Sequence, residues 1–138
     1  MLTRRWTIGV KVPDLEMELA FHRQIGNSLV LDETLEVGGE RFRVPLIRMG
    51  DKYMHLAERM VYERLLDKAL PCGITHLVYR SNSFEEDVRI AREAGSTLIG
   101  DIATISAGFG DRRVAFFRAP GGWIFEIIQV LQDRVPEV

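Results

Sequence analysis

The sequence predicts an α+β fold of two tandem βαβββ units, whose strands form a curved mixed sheet, a cup, within a single domain spanning residues 1–138. Three observations predict it. The second half of the chain repeats the first: laying His76 on Thr7 carries Gly95 onto Gly26 without a gap, and sets Phe84, Glu85 and Val88 on Leu15, Glu16 and Leu19. The ends of the two copies match as well, since Gly50-Asp51-Lys52-Tyr53-Met54-His55-Leu56 aligns with Gly121-Gly122-Trp123-Ile124-Phe125-Glu126-Ile127. Between these ends, each copy shows one strand pattern, one helix pattern and three more strand patterns in the same order.

Unit one covers about residues 6–57. Trp6 to Val12 alternates and is rich in β-branched residues, which reads as a strand. Asp14 is a good N-cap, Glu16 suits the positive first turn of a helix, and Gly26 supplies the stop. Ser28–Glu36 and Arg41–Met49 read as two strands joined through Gly38-Gly39, and Lys52–Ala57 as a fourth. Glu58–Leu70 then carries Met60, Val61, Leu65 and Leu66 at helical spacing, which predicts a connecting helix over about 58–70 ended by Pro71 and Gly73. Unit two covers about residues 73–130. Ile74–Arg80 is its first strand, and Ser83-Phe84-Glu85-Glu86 reads as a capping box opening a helix that stops at Gly95. Strands follow at about Thr97–Ser106, Arg112–Arg118 and Trp123–Val130, and the tail from Gln132 to Val138 reads as polar and frayed.

Composition narrows the function classes. A net charge of -2 provides no basic field, so neither a nucleic acid nor a membrane is an expected partner. No apolar run is long enough for a signal peptide or a membrane span, and the single cysteine, Cys72, excludes an internal disulfide. A cytoplasmic location is the expectation.

The chemistry falls at matching positions of the two copies: Thr7 and His55 in the first, His76 and Glu126 in the second. Strand alternation sets Glu126 on one side with Ile124 and Ile128, and His55 with Tyr53 and Ala57. A carboxylate between two isoleucines is costly to ionise unless a cation, an arginine or a raised pKa accompanies it. With two imidazoles at equivalent positions, a divalent metal is the most economical partner.

Taken with Val12-Pro13-Asp14-Leu15-Glu16, Gly73-Ile74-Thr75-His76-Leu77 and the run from Phe116 to Glu126, the chain resembles the vicinal oxygen chelate superfamily. That group includes glyoxalase I, extradiol dioxygenases, methylmalonyl-CoA epimerase and bleomycin-resistance proteins. The resemblance covers about residues 6–130 and implies metal ligands at Thr7, His55, His76 and Glu126. His76 and Glu126 match the usual ligand types. His55 stands where glutamate or glutamine is usual, and Thr7 where histidine or glutamine is common. The implied ligands are therefore His55, His76 and Glu126, with Glu126 also a candidate proton-transfer group and Thr7 a substrate-contacting hydroxyl. The implied activity is that of a metal-dependent lyase or isomerase of glyoxalase type. It would chelate a small oxygenated substrate on Zn, Ni, Mn, Co or Fe(II) and stabilise an enediolate-like species. An iron(II) dioxygenase and a metal-free binding or resistance protein are the alternatives. A homodimer is implied too.

Other residues receive plainer readings. Arg43, Arg48, Arg113 and Arg118 lie on strands, and Arg48 is the one expected to clamp an anionic substrate group. His22 reads as a partly exposed packing residue, Cys72 as a bystander, and the Gly108-Phe109-Gly110 loop as a mobile rim.

Overall fold

The computed structural model describes residues 1–136. The described residues divide into two compact units, an N-terminal unit of residues 7–75 and a C-terminal unit that adds residues 1–6 to residues 76–136.

The N-terminal unit comprises β1 (Leu2–Lys11, from Thr7), α1 (Leu15–Gln24), β2 (Ser28–Leu31), β3 (Thr34–Val37), β4 (Glu40–Arg43), β5 (Leu46–Met49) and β6 (Lys52–Ala57). Its sheet runs β2-β5-β6-β1, and β3 and β4 form a separate two-stranded sheet. Asp14 caps α1 as expected, accepting from the Met17 amide at 3.1 Å. The helix packs Leu15 and Leu19 on Val12, Ile47 and Leu56. The two long strands expected at 28–36 and 41–49 are each broken. Pro45 has no N–H to give to a ladder, and although Val44 still donates to the Glu33 carbonyl at 2.9 Å, the pairing on either side belongs to different sheets.

The connecting helix expected over 58–70 is absent, replaced by a single 3-10 turn at Glu63–Leu65. The Glu63 carboxylate displaces it. This carboxylate accepts from the Met60 amide (2.8 Å), the Lys11 ammonium (2.8 Å) and the Leu70 amide (3.3 Å), so it organises an irregular strap, with Met60 and Tyr62 buried as anchors. Burial pushes the Glu63 carboxyl upward, but the Lys11 bond and the two amides outweigh it and hold the group below its usual range.

The C-terminal unit comprises β7 (Gly73–Ser81, from His76), α2 (Phe84–Glu93), β8 (Thr97–Ala107), β9 (Gly110–Arg118) and β10 (Ile124–Asp133), its sheet running β7-β10-β9-β8. α2 lays Phe84 and Val88 on Ala115, Phe117, Phe125 and Ile127. Ser83 occupies the N-cap position but makes no capping bond, so the expected box is not formed; its amide donates instead to Ser81 Oγ, which also bonds Asp87. The tail does not fray where expected. β10 continues through Asp133, and the Arg134 amide donates to the Phe109 carbonyl at 3.0 Å; the final two residues lie outside the described ones. β8 shifts register between Ile99 and Ala103, where Gly100 has φ 69°.

In both units the first and last strands pair in parallel, β1 with β6 and β7 with β10, flanked by antiparallel pairs. Each sheet is therefore mixed, as the sequence reading expects. No helix among the described residues is long and apolar enough to cross a membrane.

Candidate functional site

Each sheet has one face against its helix, and the expected site residues lie on the other. In the C-terminal unit, odd-numbered β9 and β10 residues such as Phe117 and Phe125 meet α2. Glu126 and its cross-strand neighbour Phe116 therefore point away from the helix, as do Ile124 with its neighbours His76 and Arg118.

The structure brings His76 and Glu126 together. Nε2 of His76 stands 3.7 Å from Oε2 of Glu126, with both side chains about 10% exposed. The imidazole meets the Phe116 ring edge-on at 5.7 Å. Burial among Ile124, Ile128 and Phe116 pushes the Glu126 carboxyl up to about 8, against a weaker opposing pull from the Arg112 guanidinium. That is a carboxyl held near neutrality by its surroundings.

The donor set fits a divalent ion. An imidazole nitrogen and a carboxylate oxygen are ligands that Zn-like metals take at about 2.0–2.2 Å, and the 3.7 Å separation lets the two converge on one ion after a small adjustment. A cation would also relieve the cost of ionising Glu126. Among the described residues, no group of three or more His, Cys, Asp and Glu side chains is assembled to hold an ion.

Thr7, His55 and Arg48 belong to the N-terminal unit. Ile8, Val10, Ile47, Met54 and Leu56 form the helix side there, so Thr7, Tyr53, His55 and Arg48 lie on the opposite face. Thr7 is 1% exposed, and its hydroxyl donates to the Ile8 carbonyl at 3.3 Å. His55 is half-buried, in register with Gly9 and Leu46. Arg48 is exposed, its Nε donating to the Gly50 carbonyl at 3.0 Å.

The remaining arginines sort by face and partner. Arg113 lies on the helix side, over the Phe84 ring and paired with Glu85, and Arg43 is held by Asp32 and Glu16. The sequence reading missed Arg112. It is 1% exposed, stacked on Trp6 and Phe109, bonded to the Gln132 carbonyl at 2.7 Å and to Asp133 at 2.6 Å. Burial lowers its pKa, which Asp133 partly offsets. The even-numbered alternation it shares with Val114 and Phe116 was the signal for an inward arginine. Arg112 also overturns the mobile-rim reading of its loop, because Phe109 is buried and packs on Trp6 at 5.3 Å. His22 is buried rather than partly exposed, its Nδ1 2.9 Å from Asn27 Nδ2. Cys72 is exposed and unbridged.

The sequence matches no family model and no curated protein. Solved structures show where the fold recurs. A Streptomyces coelicolor methylmalonyl-CoA epimerase variant, in complex with 2-nitronate-propionyl-CoA, is 21% identical; the match covers 96% of this chain and 100% of that one, with a TM-score of 0.72. The Mycobacterium tuberculosis methylmalonyl-CoA epimerase is 20% identical over 95% of this chain and 90% of its own, also at 0.72. A methylmalonyl-CoA epimerase bound to methylmalonyl-CoA and NH4+ is 22% identical over 99% and 100%, at 0.69. At these identities the likeness is one of fold: the chain has the α+β architecture of the methylmalonyl-CoA epimerases.

Proposed function

We propose that this chain is a metal-dependent isomerase that moves a proton next to a carbonyl, on a small oxygenated acid or its thioester. The observation that carries the reading is the His76–Glu126 pair, buried on the helix-free face of the C-terminal sheet. His76 and Glu126 are two proposed ligands, and His55 is a proposed third on the sequence pattern. A divalent ion held there supplies Lewis-acid charge for an oxyanion forming on the substrate. Glu126 is also the proposed proton-transfer group once it leaves the ion, since its apolar surroundings raise its affinity for a proton when no cation is bound to it. The apolar strip of Ile124, Ile128 and Phe116 excludes water from that carboxyl, and Thr7 is proposed to contact substrate.

The structural neighbours suggest the first substrate to try. Purified protein loaded with Co(II), Mn(II), Ni(II) or Zn(II) is incubated with methylmalonyl-CoA in D2O, and deuterium at C2 is followed by NMR. Metal-dependent exchange that Glu126→Gln abolishes is the expected result. No stoichiometric metal, together with no exchange, would remove the isomerase reading in favour of a metal-free binding protein. Oxygen consumption with Fe(II) and a catechol would replace it with a dioxygenase.

A further inference from the structure

We propose that Arg118 binds an anionic group, a carboxylate or phosphate, on the molecule that occupies the His76–Glu126 face; the assignment rests on the functional reading above and names the charge its substrate carries. Arg118 lies in one lateral row with His76, through the register pairs His76–Ile124 and Ile124–Arg118. Two strand spacings, about 10 Å, separate the backbones of His76 and Arg118, a gap that a small acid and an extended guanidinium span together.

The C-terminal unit engages the neighbouring arginines with carboxylates. Arg112 pairs with Asp133, Arg113 with Glu85 and Arg80 with Asp133. Among the described residues, Arg118 faces no carboxylate within ion-pair distance. Its Nη1 instead donates to the Gly122 carbonyl at 2.8 Å, in the turn leading into β10. That single bond anchors one end of the guanidinium and leaves most of the fork's N–H donors for a ligand.

The duplication supplies an independent observation. In the N-terminal unit the equivalent row is Thr7, Tyr53 and Arg48. Arg48 is tied in the same manner, to the carbonyl of the turn glycine Gly50. The fold thus places an arginine at the same register point twice, each on the helix-free face and each tethered to a turn glycine. Packing does not require either one, because both are exposed.

The test titrates malonate and inorganic phosphate, separately, into metal-free and Zn-loaded full-length protein at low ionic strength, by calorimetry. Wild type is compared with Arg118→Gln, Arg118→Lys and Arg113→Gln. The expected result is at least a tenfold loss of affinity for one anion in Arg118→Gln, a smaller loss in Arg118→Lys, and none in Arg113→Gln. The anion affected identifies the group. Equal binding by wild type and Arg118→Gln, or no binding of either anion to wild type, overturns the assignment. Circular dichroism checks the fold of Arg118→Gln, with Arg118→Lys retaining the charge should the glutamine variant unfold. Failure to take up Zn counts against the metal reading alone, because the metal-free titrations still report on Arg118.

Discussion

The two units place different chemistry on one lattice. Register pairs the first strand with the last in parallel in both, so Thr7 meets Tyr53 where His76 meets Ile124, and His55 stands where Glu126 does. In the C-terminal unit that geometry buries an imidazole and a carboxyl 3.7 Å apart among isoleucines. In the N-terminal unit it buries a threonine hydroxyl satisfied by its own strand. Duplication therefore preserved the strand register, the helix-facing core and an arginine at Arg48 and Arg118, but not the buried carboxyl on the free face. The C-terminal copy carries the ionisation cost and, with it, the reason to bind a cation.

The comparison can be broken first at the cores. Phe117 and Ile47 hold equivalent helix-facing positions, 0% and 1% exposed. Phe117→Ala should cost about 3–5 kcal/mol and Ile47→Ala about 2–5 kcal/mol in urea unfolding. A loss under about 1 kcal/mol for either would show that one copy does not depend on its helix packing.

The free faces should separate more sharply. His76→Ala is expected to weaken Zn or Co binding by at least about a hundredfold, roughly 2.7 kcal/mol, while Thr7→Ala changes it less than about threefold. Equal losses in a metal titration would make the chemistry as symmetric as the fold.

Acidity provides a third contrast. Glu126 has a folded pKa of about 8, above its unfolded value. In metal-free protein, its neutral form incurs no penalty below about pH 4.5, and stability is lost as pH rises from there toward 8, by at most about 1.4 kcal/mol per pH unit. Glu126→Gln should flatten that slope in urea titrations, whereas His55→Gln should leave it in place. The opposite shift of Glu63, held low by Lys11, acts only at acid pH: its contribution is present above the unfolded pKa and lost as pH falls through the folded one.

The smallest effect belongs to the helix exteriors. Met17 is 72% exposed on α1, and the position equivalent to it on α2 is Glu86, in an ion pair with Arg89. Met17→Glu should move the thermal midpoint by no more than the equivalent of about 0.5 kcal/mol. A larger change would mean that this face is covered in solution.

Much of this was legible in the residues because it depends on local rules. Asp14 announces its helix, glycines mark the turns, and alternation alone sets Glu126 between Ile124 and Ile128. Some misreadings are local, as where Pro45 breaks an expected strand and Ser81 takes the Ser83 amide, and others come from side chains acting at a distance in sequence. Helical spacing at 58–70 could not reveal that Lys11 would capture Glu63. Nor could spacing show that Pro45 would hand β4 and β5 to different sheets. The parallel pairing of first and last strands is likewise a matter of crossover, which periodicity does not record. Arg118 was passed over for Arg48, although alternation already separated it from Arg113.

The register shift in β8 has a consequence for the molecule in company. β8 is the outermost strand of its sheet, and a straight eleven-residue strand there would offer a long row of open amides and carbonyls to any other chain. The interruption at Gly100, with Asp101 exposed beside it, divides that row into two short stretches. Each is a poorer template for a foreign strand than one straight, unbroken edge would be.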